Sequence, residues 1–502
     1  MTEDPDPPDR FDLLVVGGGI NGAGIARDAA GRGLRVLLVE KDDLAAHTSS
    51  ASTKLIHGGL RYLEYYAFRL VRESLIERER LLAIAPHIIT PLRFVMPLPP
   101  GGRPAWLIRL GLFLYDHIGG RKALPASEGL SLRGSEWGTG LKPAITRGFA
   151  YSDCRVQDAR LVVLNAMDAA ARGAEIAVGT ELIGARREGD VWIATLSAGG
   201  VTRAVSARAI VNAAGPWVHG VLGRAAGARP ERPPRLVKGS HIVVPRMFAG
   251  EHAYILQNAD KRIVFAIPYE GDFTLIGTTD MAWEGDPAAP AITEAEIRYL
   301  CDSVNAFFAT PVTPADIVWT YSGVRPLFDD GSANASAVTR DYVLALGTKE
   351  GPQILSVFGG KITTYRTLAE HALKKLAPFF PQMGEPWTAT AALPGGDIPD
   401  GDFAAFLADV RRRWPFLEST TALRLARAYG TRLSGILGDA TQMAALGRDF
   451  GGGLTEAEVT YLRRHEWART ADDILWRRSR LGLHTGPETR AALEDHLAAT
   501  TA

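Results

Sequence analysis

The chain has 502 residues, which is enough for more than one domain, each with its own core. Hydrophobic residues make up 46%, charged residues make up 22%, and the formal net charge is zero, so the composition is globular and gives no sign of a nucleic-acid partner. Only two cysteines occur, which excludes a disulfide framework and fits a reducing compartment.

The chain begins with MTEDPDPPDR, which is acidic and rich in proline and lacks the pattern of a signal peptide. We therefore expect residues 1–10 to form a disordered tail. No apolar run is long enough to cross a membrane. The nearest candidate, AWLIRLGLFLY at 105–115, predicts an amphipathic helix, which either lies on a membrane surface or packs on its own domain.

A βαβ unit follows the tail. The apolar run at 11–16 predicts a buried strand that stops at three glycines, a helix follows, and LRVLLVE at 34–40 predicts a second strand. Gly17, Gly19 and Gly22 form G-x-G-x-x-G at the turn, where the backbone lets a pyrophosphate approach the positive end of the helix. The unit therefore predicts a dinucleotide site.

Glu40 closes the second strand, where its carboxylate is placed to accept hydrogen bonds from an adenosine ribose. This position disfavours the 2′-phosphate of NADP, but the unit alone does not separate NAD from FAD. Two further stretches help to distinguish FAD from NAD. VNAAGPWV at 211–218 ends a strand in small residues, and VFGGKITTYR at 357–366 is a second glycine turn that opens a helix. Contacts this far apart in the chain favour a long embedded flavin, whose reduced ring the amides of the second turn would stabilise.

The rest of the chain alternates between predicted helices and strands. A long amphipathic helix is expected at 63–85, with the cluster ERER at 77–80 on its solvated face, and another helix at 158–173. Strand patterns at 236–245, 261–269 and 273–280 predict an inserted antiparallel sheet. From about residue 403 the patterns are helical.

The predicted fold class is α/β. It comprises a Rossmann-like FAD-binding domain with an inserted antiparallel β substrate domain, and a C-terminal α-helical domain. The expected boundaries are 11–385 for the oxidoreductase domain, with its substrate-binding part mainly at 60–145 and 230–340. A linker is expected at 386–402 and the helical domain at 403–502.

Ten stretches together resemble the FAD-dependent glycerol-3-phosphate dehydrogenases of aerobic bacteria, which belong to the D-amino-acid-oxidase-like flavoproteins. They run in order from about residue 11 to about 485: GGGINGAGIARDAAGRGL, SSASTKLIHGGLRYLE, YSDCRVQDARL, VNAAGPWV, KGSHIVVP, IGTTD, YSGVRPL, TRDY, FGGKITTYR and ADDILWRR.

The resemblance implies that FAD accepts a hydride from sn-glycerol 3-phosphate, giving dihydroxyacetone phosphate, and that the electrons pass to ubiquinone or menaquinone. It also implies a cytoplasmic protein, peripheral on the inner face of the cell membrane and commonly a homodimer. An oxygen-using glycerol-phosphate oxidase and a non-catalytic flavin-binding regulatory protein remain alternatives.

A phosphate dianion in a partly desolvated site needs more than one cation. Arg61 follows a Gly-Gly pair, Arg325 lies in SGVRPL, and Lys361 follows another Gly-Gly pair. Arg340, beside an aspartate, is a weaker candidate. By resemblance these four match the family's substrate-binding cations, with Tyr62 a neighbouring contact, and we assign Arg325 and Lys361 to the catalytic group as well.

Proton removal from the substrate hydroxyl needs a base, and a histidine suits neutral pH. His57 is the preferred candidate because the following glycines let substrate approach closely, and the related oxidases carry a base at the matching histidine. His241, on a predicted strand of the substrate domain, is the rival for the role of base and is otherwise a substrate contact.

The remaining predicted residues contact the cofactor, and no metal is expected because no His/Cys cluster has ligand spacing. The cofactor set is Gly17, Gly19, Asn21, Gly22, Glu40, Lys41, Thr48, Ser49, Ser50, Ser52, Lys54, Leu55, Ala214, Gly215, Trp217, Asp280, Gly323, Gly360, Lys361 and Thr363.

Overall fold

The computed structural model describes residues 9–120, 123–225, 233–328, 341–347 and 351–500. Residues 1–8 of the expected tail and most of the proline-rich stretch before the inserted sheet lie outside these ranges. Residues 9 and 10 already belong to the first strand. Within the described ranges, no helix combines the length and the apolar character needed to span a membrane.

The strands of the described residues are numbered in chain order. They are β1 (Asp9–Val16), β2 (Val36–Glu40), β3 (Leu55–Ile56), β4 (Ile89–Pro97), β5 (Glu128–Ser131), β6 (Arg147–Val156), β7 (Glu175–Val178), β8 (Thr180–Glu188), β9 (Val191–Ala198), β10 (Val201–Asn212), β11 (Arg235–Pro245), β12 (Ala253–Gln257), β13 (Ile263–Tyr269), β14 (Phe273–Gly277), β15 (Met281–Ala282), β16 (Trp319–Leu327), β17 (Val343–Leu346) and β18 (Gln353–Phe358).

The α-helices are numbered in the same way. They are α1 (Ile20–Gly31), α2 (Phe68–Ile84), α3 (Ala105–Ile118), α4 (Asp158–Ala171), α5 (Val218–Arg224), α6 (Glu294–Asn305), α7 (Tyr365–Leu376), α8 (Phe403–Arg413), α9 (Ser419–Tyr429), α10 (Ser434–Leu437), α11 (Glu456–Glu466) and α12 (Pro487–Ala499). Short 3-10 helices at Leu60–Tyr65 and Ile362–Thr364 border the site described below, and a π-helix spans Asp473–Arg478.

The first sheet is the dinucleotide-binding half. Its strand order is β17-β18-β10-β1-β2-β7, in which the pairs β18/β10, β10/β1, β1/β2 and β2/β7 are parallel. β9 pairs with β10 and β8 with β9, both antiparallel. Helices α1, α4 and α7 pack together on this sheet, as expected for strands that are buried on both faces.

The second sheet has the order β15-β11-β14-β13-β12-β4-β6-β3, with β16 on β11 and β5 on β6. All of its pairs are antiparallel except β12/β4. The chain enters it before β7 and returns to it after β10, so the predicted inserted antiparallel sheet is confirmed.

The C-terminal helices share one hydrophobic core with α1, α4 and α7. The segment predicted as a linker, 386–402, is packed: Leu393 is buried and its amide donates to the Ile84 carbonyl at 2.9 Å. An ion pair of the Arg478 guanidinium with Asp43, at 2.7 Å, joins the C-terminal region to the loop after β2.

The charge cluster at 77–80 differs from the prediction. Glu77 and Arg78 are buried rather than solvated, because each meets a buried partner of opposite charge. Glu77 accepts two hydrogen bonds from Arg366 at 2.7 Å, and Arg78 donates to Asp153 at 2.8 Å. The pattern of charges along α2 does not reveal that other elements cover this part of the helix.

Candidate active site

The glycine turn between β1 and α1 leaves no room for side chains. Gly17 has φ +112°, and a Cβ there would lie 2.6 Å from the Ala213 carbonyl oxygen of the neighbouring strand. A Cβ on Gly22 would lie 1.9 Å from the Gly17 carbonyl oxygen. A helix that begins at such a turn presents its positive end to a bound anion.

Glu40 lies beside this turn. Its carboxylate accepts hydrogen bonds from the amides of Gly18 at 2.6 Å and Asp42 at 2.8 Å. Burial raises the pKa of Glu40, and these amides oppose the rise. Each oxygen keeps further acceptor capacity, so the carboxylate fits the ribose hydroxyls of a dinucleotide.

A single cavity of about 480 Å³ runs from this turn to the inserted sheet. Residues from both sheets line it, together with the connecting segment 45–57 and the turn at 359–363. Most predicted residues line it, namely Gly17, Gly19, Asn21, Glu40, Lys41, Thr48, Ser49, Ser52, His57, Tyr62, Ala214, Gly215, Trp217, His241, Gly323, Arg325, Gly360, Lys361 and Thr363.

Aromatic and cationic side chains wall the Glu40 end of the cavity. The Lys41 ammonium lies 4.1 Å from the centre of the Trp217 ring, and the His47 ring lies 4.6 Å from the same indole. His47 Nε2 is 2.6 Å from an Asp42 carboxylate oxygen. Sequence reasoning missed His47, since no motif distinguishes it from an ordinary loop histidine.

The second glycine turn closes the other side of the cavity. Gly359 and Gly360 have φ +72° and +98°, and the Asn21 side-chain amide donates to the Gly359 carbonyl at 3.2 Å. The turn is followed by the 3-10 helix Ile362–Thr364 and by α7. Its backbone amides therefore begin a helix at the cavity wall, which fits the electron-rich edge of a flavin ring.

His57 lies directly after β3, on a turn that glycines make possible. Its amide donates to Thr363 Oγ1 at 3.2 Å, which ties it to the second glycine turn. Gly59 has φ +78°, and a Cβ there would lie 2.2 Å from the Tyr62 ring. His57 and Tyr62 therefore reach the cavity wall together.

His241 lies on β11 and is buried against the same cavity. Its Nε2 is 3.0 Å from Thr53 Oγ1, and its ring stacks on Tyr321 with centroids 4.6 Å apart. Burial, reinforced by the Lys54 and Arg325 cations, lowers the pKa of His241 to about 3. Its imidazole is therefore neutral at physiological pH. Thr53 itself lines the cavity.

Two of the predicted cations line the cavity. The Lys361 ammonium lies 3.7 Å from the centre of the Tyr62 ring, and Arg325, on β16, forms an ion pair with Asp280. One of these cations lies on the second glycine turn and the other on the inserted sheet. Together with His57 they line a cavity whose two cations would suit an anionic ligand.

Several predicted residues lie elsewhere. Among the described residues, the cavity lining does not include Gly22, Ser50, Lys54, Leu55, Arg61 or Asp280. The Lys54 ammonium donates instead to Asp158 at 2.9 Å, and Asp280 pairs with Arg325. The Arg61 guanidinium lies 3.4 Å from the Tyr65 hydroxyl outside the cavity, and Arg340 falls outside the described residues.

Comparisons with known proteins identify the family. Residues 12–366 match the model for FAD dependent oxidoreductases, and 387–500 match that for the C-terminal domain of alpha-glycerophosphate oxidase. The chain is 55% identical to a D-erythritol 1-phosphate dehydrogenase of Brucella abortus, over 97% of each chain. It is 52% identical to the aerobic glycerol-3-phosphate dehydrogenase of Escherichia coli, again over 97% of each.

Solved structures agree with this fold. The glycerol-3-phosphate dehydrogenase of Bacillus halodurans, complexed with FAD, superposes with a TM-score of 0.73 at 25% identity, over 98% of this chain and 94% of that one. An FAD-bound glycerophosphate oxidase of Mycoplasma pneumoniae, at 18% identity, gives a TM-score of 0.60 over 77% of this chain and 99% of that one, and shares the fold. The chain therefore belongs to the FAD-dependent oxidoreductases, in the group that contains the aerobic glycerol-3-phosphate dehydrogenases.

Proposed function

We propose that the protein oxidises sn-glycerol 3-phosphate to dihydroxyacetone phosphate and passes the electrons to a membrane quinone. The observation that carries this is one cavity that joins the dinucleotide half of the molecule to His57, Arg325 and Lys361. Bound FAD would supply the hydride acceptor, since no side chain accepts a hydride.

Arg325 and Lys361 would bind the phosphate. Asp280 holds the Arg325 side chain against the cavity, and Tyr62 lies under the Lys361 ammonium. A guanidinium offers a fork of donors and an ammonium a compact charge, so the pair suits a phosphate monoester better than a neutral polyol.

His57 would take the proton of the C2 hydroxyl. A base works best with a pKa near the operating pH, and a pKa of about 3 makes His241 a weak base. Its neutral ring, in contact with Thr53, suits a hydrogen bond to the substrate instead. The pKa of His241 therefore favours His57 as the base, while both histidines line the site.

D-erythritol 1-phosphate is a second candidate substrate. The Brucella abortus relative with that name is as similar to this chain, at 55% identity, as a glycerol-3-phosphate dehydrogenase of Pseudomonas aeruginosa. Both compounds are phosphate monoesters of polyols with a secondary hydroxyl, so the same cations and base would serve both.

The outer face of α3 supports membrane association. Ile108, Leu112 and Tyr115 turn inward, while Trp106, Leu107, Leu110, Phe113 and Leu114 are exposed. Tyr65, Tyr66 and Phe68 extend this exposed apolar surface. The sequence left two interpretations of residues 105–115, a helix packed on its own domain and a helix on a membrane surface. Both fit α3, because one face packs on the domain and the other suits the interface of a lipid bilayer. The quinone type and the homodimer stay predictions from the resemblance.

Anaerobic spectroscopy tests the reaction. We expect sn-glycerol 3-phosphate to bleach the absorbance of the bound flavin and a ubiquinone analogue to restore it. D-erythritol 1-phosphate, titrated in parallel, ranks the two substrates by their reduction rates. If neither compound bleaches the flavin, the proposed activity is wrong. Rapid aerobic turnover with stoichiometric peroxide would instead indicate an oxygen-using glycerol-phosphate oxidase.

The His57→Ala variant tests the base. We expect it to retain FAD but to reduce the flavin roughly 10²–10⁴-fold more slowly, because a general base is lost. His241→Gln is the comparison, and its rate should fall less because that ring is already a poor proton acceptor. A near-normal rate in His57→Ala with a large loss in His241→Gln would show that His241, and not His57, is the base.

The Arg325→Ala variant tests phosphate recognition. We expect half-saturation by sn-glycerol 3-phosphate to need about 10–100-fold more substrate, the equivalent of a charge-assisted hydrogen bond, while the slow reduction by glycerol stays unchanged. Arg325→Lys keeps the positive charge but loses the planar donors of the guanidinium. Its substrate concentration for half-saturation should therefore lie between those of the wild type and Arg325→Ala. An equal effect on glycerol would show that Arg325 does not bind the phosphate.

The Phe113→Glu variant tests the membrane surface. We expect its sedimentation with phospholipid vesicles to weaken about tenfold or more, since a buried aromatic side chain contributes about 1.5–3 kcal/mol. Val201→Glu is the matched control, because Val201 is 73% exposed on a hairpin of the first sheet. Equal binding by the two variants would place the membrane contact elsewhere.

A further inference from the structure

We propose that the hydroxyl of Tyr115 on α3 is a positioning group for the turn His57–Gly59, holding the imidazole of His57 in its working orientation. This inference rests on the proposed role of His57 and adds a residue that does not line the cavity. Tyr115 would act through the backbone of Gly58, without touching substrate or cofactor.

The contacts form a short buried chain. The Gly58 amide donates to the Tyr115 hydroxyl oxygen at 2.8 Å and to an Asp153 oxygen at 3.2 Å. The Tyr115 hydroxyl faces both oxygens of the Asp153 carboxylate at 2.8 Å, and Arg78 donates to the same carboxylate at 2.8 Å. The turn is thereby linked to α2, α3 and β6.

Every side chain in this chain of contacts is buried, with Tyr115 at 3%, Arg78 at 3% and Asp153 at 2% exposure. Burial raises the pKa of Tyr115 well above its usual range, so the phenol stays protonated and donates to Asp153. Its oxygen then accepts the Gly58 amide, which would otherwise be a buried donor with a weaker partner.

The turn depends on such contacts because its own sequence is permissive. Gly58 and Gly59 follow His57, and the 3-10 helix that comes next, Leu60–Tyr65, has only partly buried and exposed residues. On the other side, the His57 amide is held by Thr363. Two adjacent amides are thus held by different elements, that of His57 by Thr363 and that of Gly58 by Tyr115, and together they fix the backbone that carries the imidazole.

Space around Gly58 points to the same contact. A Cβ on Gly58 would lie 2.6 Å from the Tyr115 hydroxyl oxygen and 2.4 Å from a Leu75 methyl group. The turn therefore approaches α2 and α3 as closely as a backbone can. A displacement of Tyr115 or of the turn would move the other.

The test is Tyr115→Phe, studied as the full-length FAD-bound protein by anaerobic stopped-flow. We expect normal FAD content, an unchanged substrate concentration for half-saturation, and a limiting rate of flavin reduction about five- to tenfold lower, as for one lost hydrogen bond. A loss confined to the limiting rate separates positioning from a general loosening of the fold.

Tyr151→Phe is the matched control. Tyr151 is equally buried and packs on the Tyr115 ring with centroids 5.8 Å apart, but the Gly58 amide does not donate to it in the described structure. Its limiting rate should match that of the wild type. Gly58→Ala disturbs the same contact from the side of the turn and should also lower the limiting rate. It replaces Tyr115→Phe in the test if Tyr115→Phe does not retain FAD.

A wild-type limiting rate in FAD-bound Tyr115→Phe, or in Gly58→Ala if that variant takes its place, overturns the inference. So does an equal loss in Tyr115→Phe and Tyr151→Phe, because the effect would then be one of packing. Failure of the proposed function looks different, since the wild-type protein itself would then show no bleaching by either polyol phosphate.

Discussion

The site depends on a buried ion pair, Lys54 with Asp158, that fixes the segment joining the two sheets. The Lys54 ammonium donates to both oxygens of Asp158 and to the Ser50 carbonyl, at 2.8–3.0 Å. Ser52 adds a hydrogen bond to the same carboxylate. Lys54 has φ +61°, which is uncommon for a residue with a side chain, and its ion pair holds it there. A buried pair of this kind adds little net stability, but loss of one partner is costly.

This constraint brings the residues proposed for the cofactor and those proposed for the substrate to one cavity. Asp158 begins α4 of the first half, and Lys54 directly precedes β3 of the second sheet. Just before Lys54 in the chain, Thr53 reaches His241 on β11. Ala51 packs so closely on Gly323 of β16 that a Cβ added to Gly323 would lie 2.7 Å from the Cβ of Ala51. One short segment therefore positions both walls of the cavity, and the following turn brings in His57.

The sequence predicts well wherever chemistry dictates local structure. The glycine turn, Glu40 and the antiparallel insertion follow from spacing and periodicity, and they are present as expected. Lys54 shows what spacing does not reveal. Its place in the chain predicts a contact with the cofactor, but its ammonium pairs with Asp158, which lies 104 positions away along the chain. The buried Glu77 and Arg78, and the inward-facing Tyr115 on an exposed helix, likewise depend on tertiary partners that the local sequence does not identify.

Charge placement separates the two histidines of the cavity. Burial is the main reason that the pKa of His241 is low, and the nearby Lys54 and Arg325 cations lower it further. Its imidazole is therefore neutral at physiological pH, and it can still form hydrogen bonds, as it does with Thr53. His57 lies beyond β3 on a glycine turn, where Thr363 Oγ1 accepts a hydrogen bond from its backbone amide. A base must change its charge and still face the substrate, and in the proposed role of His57 the held amides of His57 and Gly58 would keep the turn in place through that change.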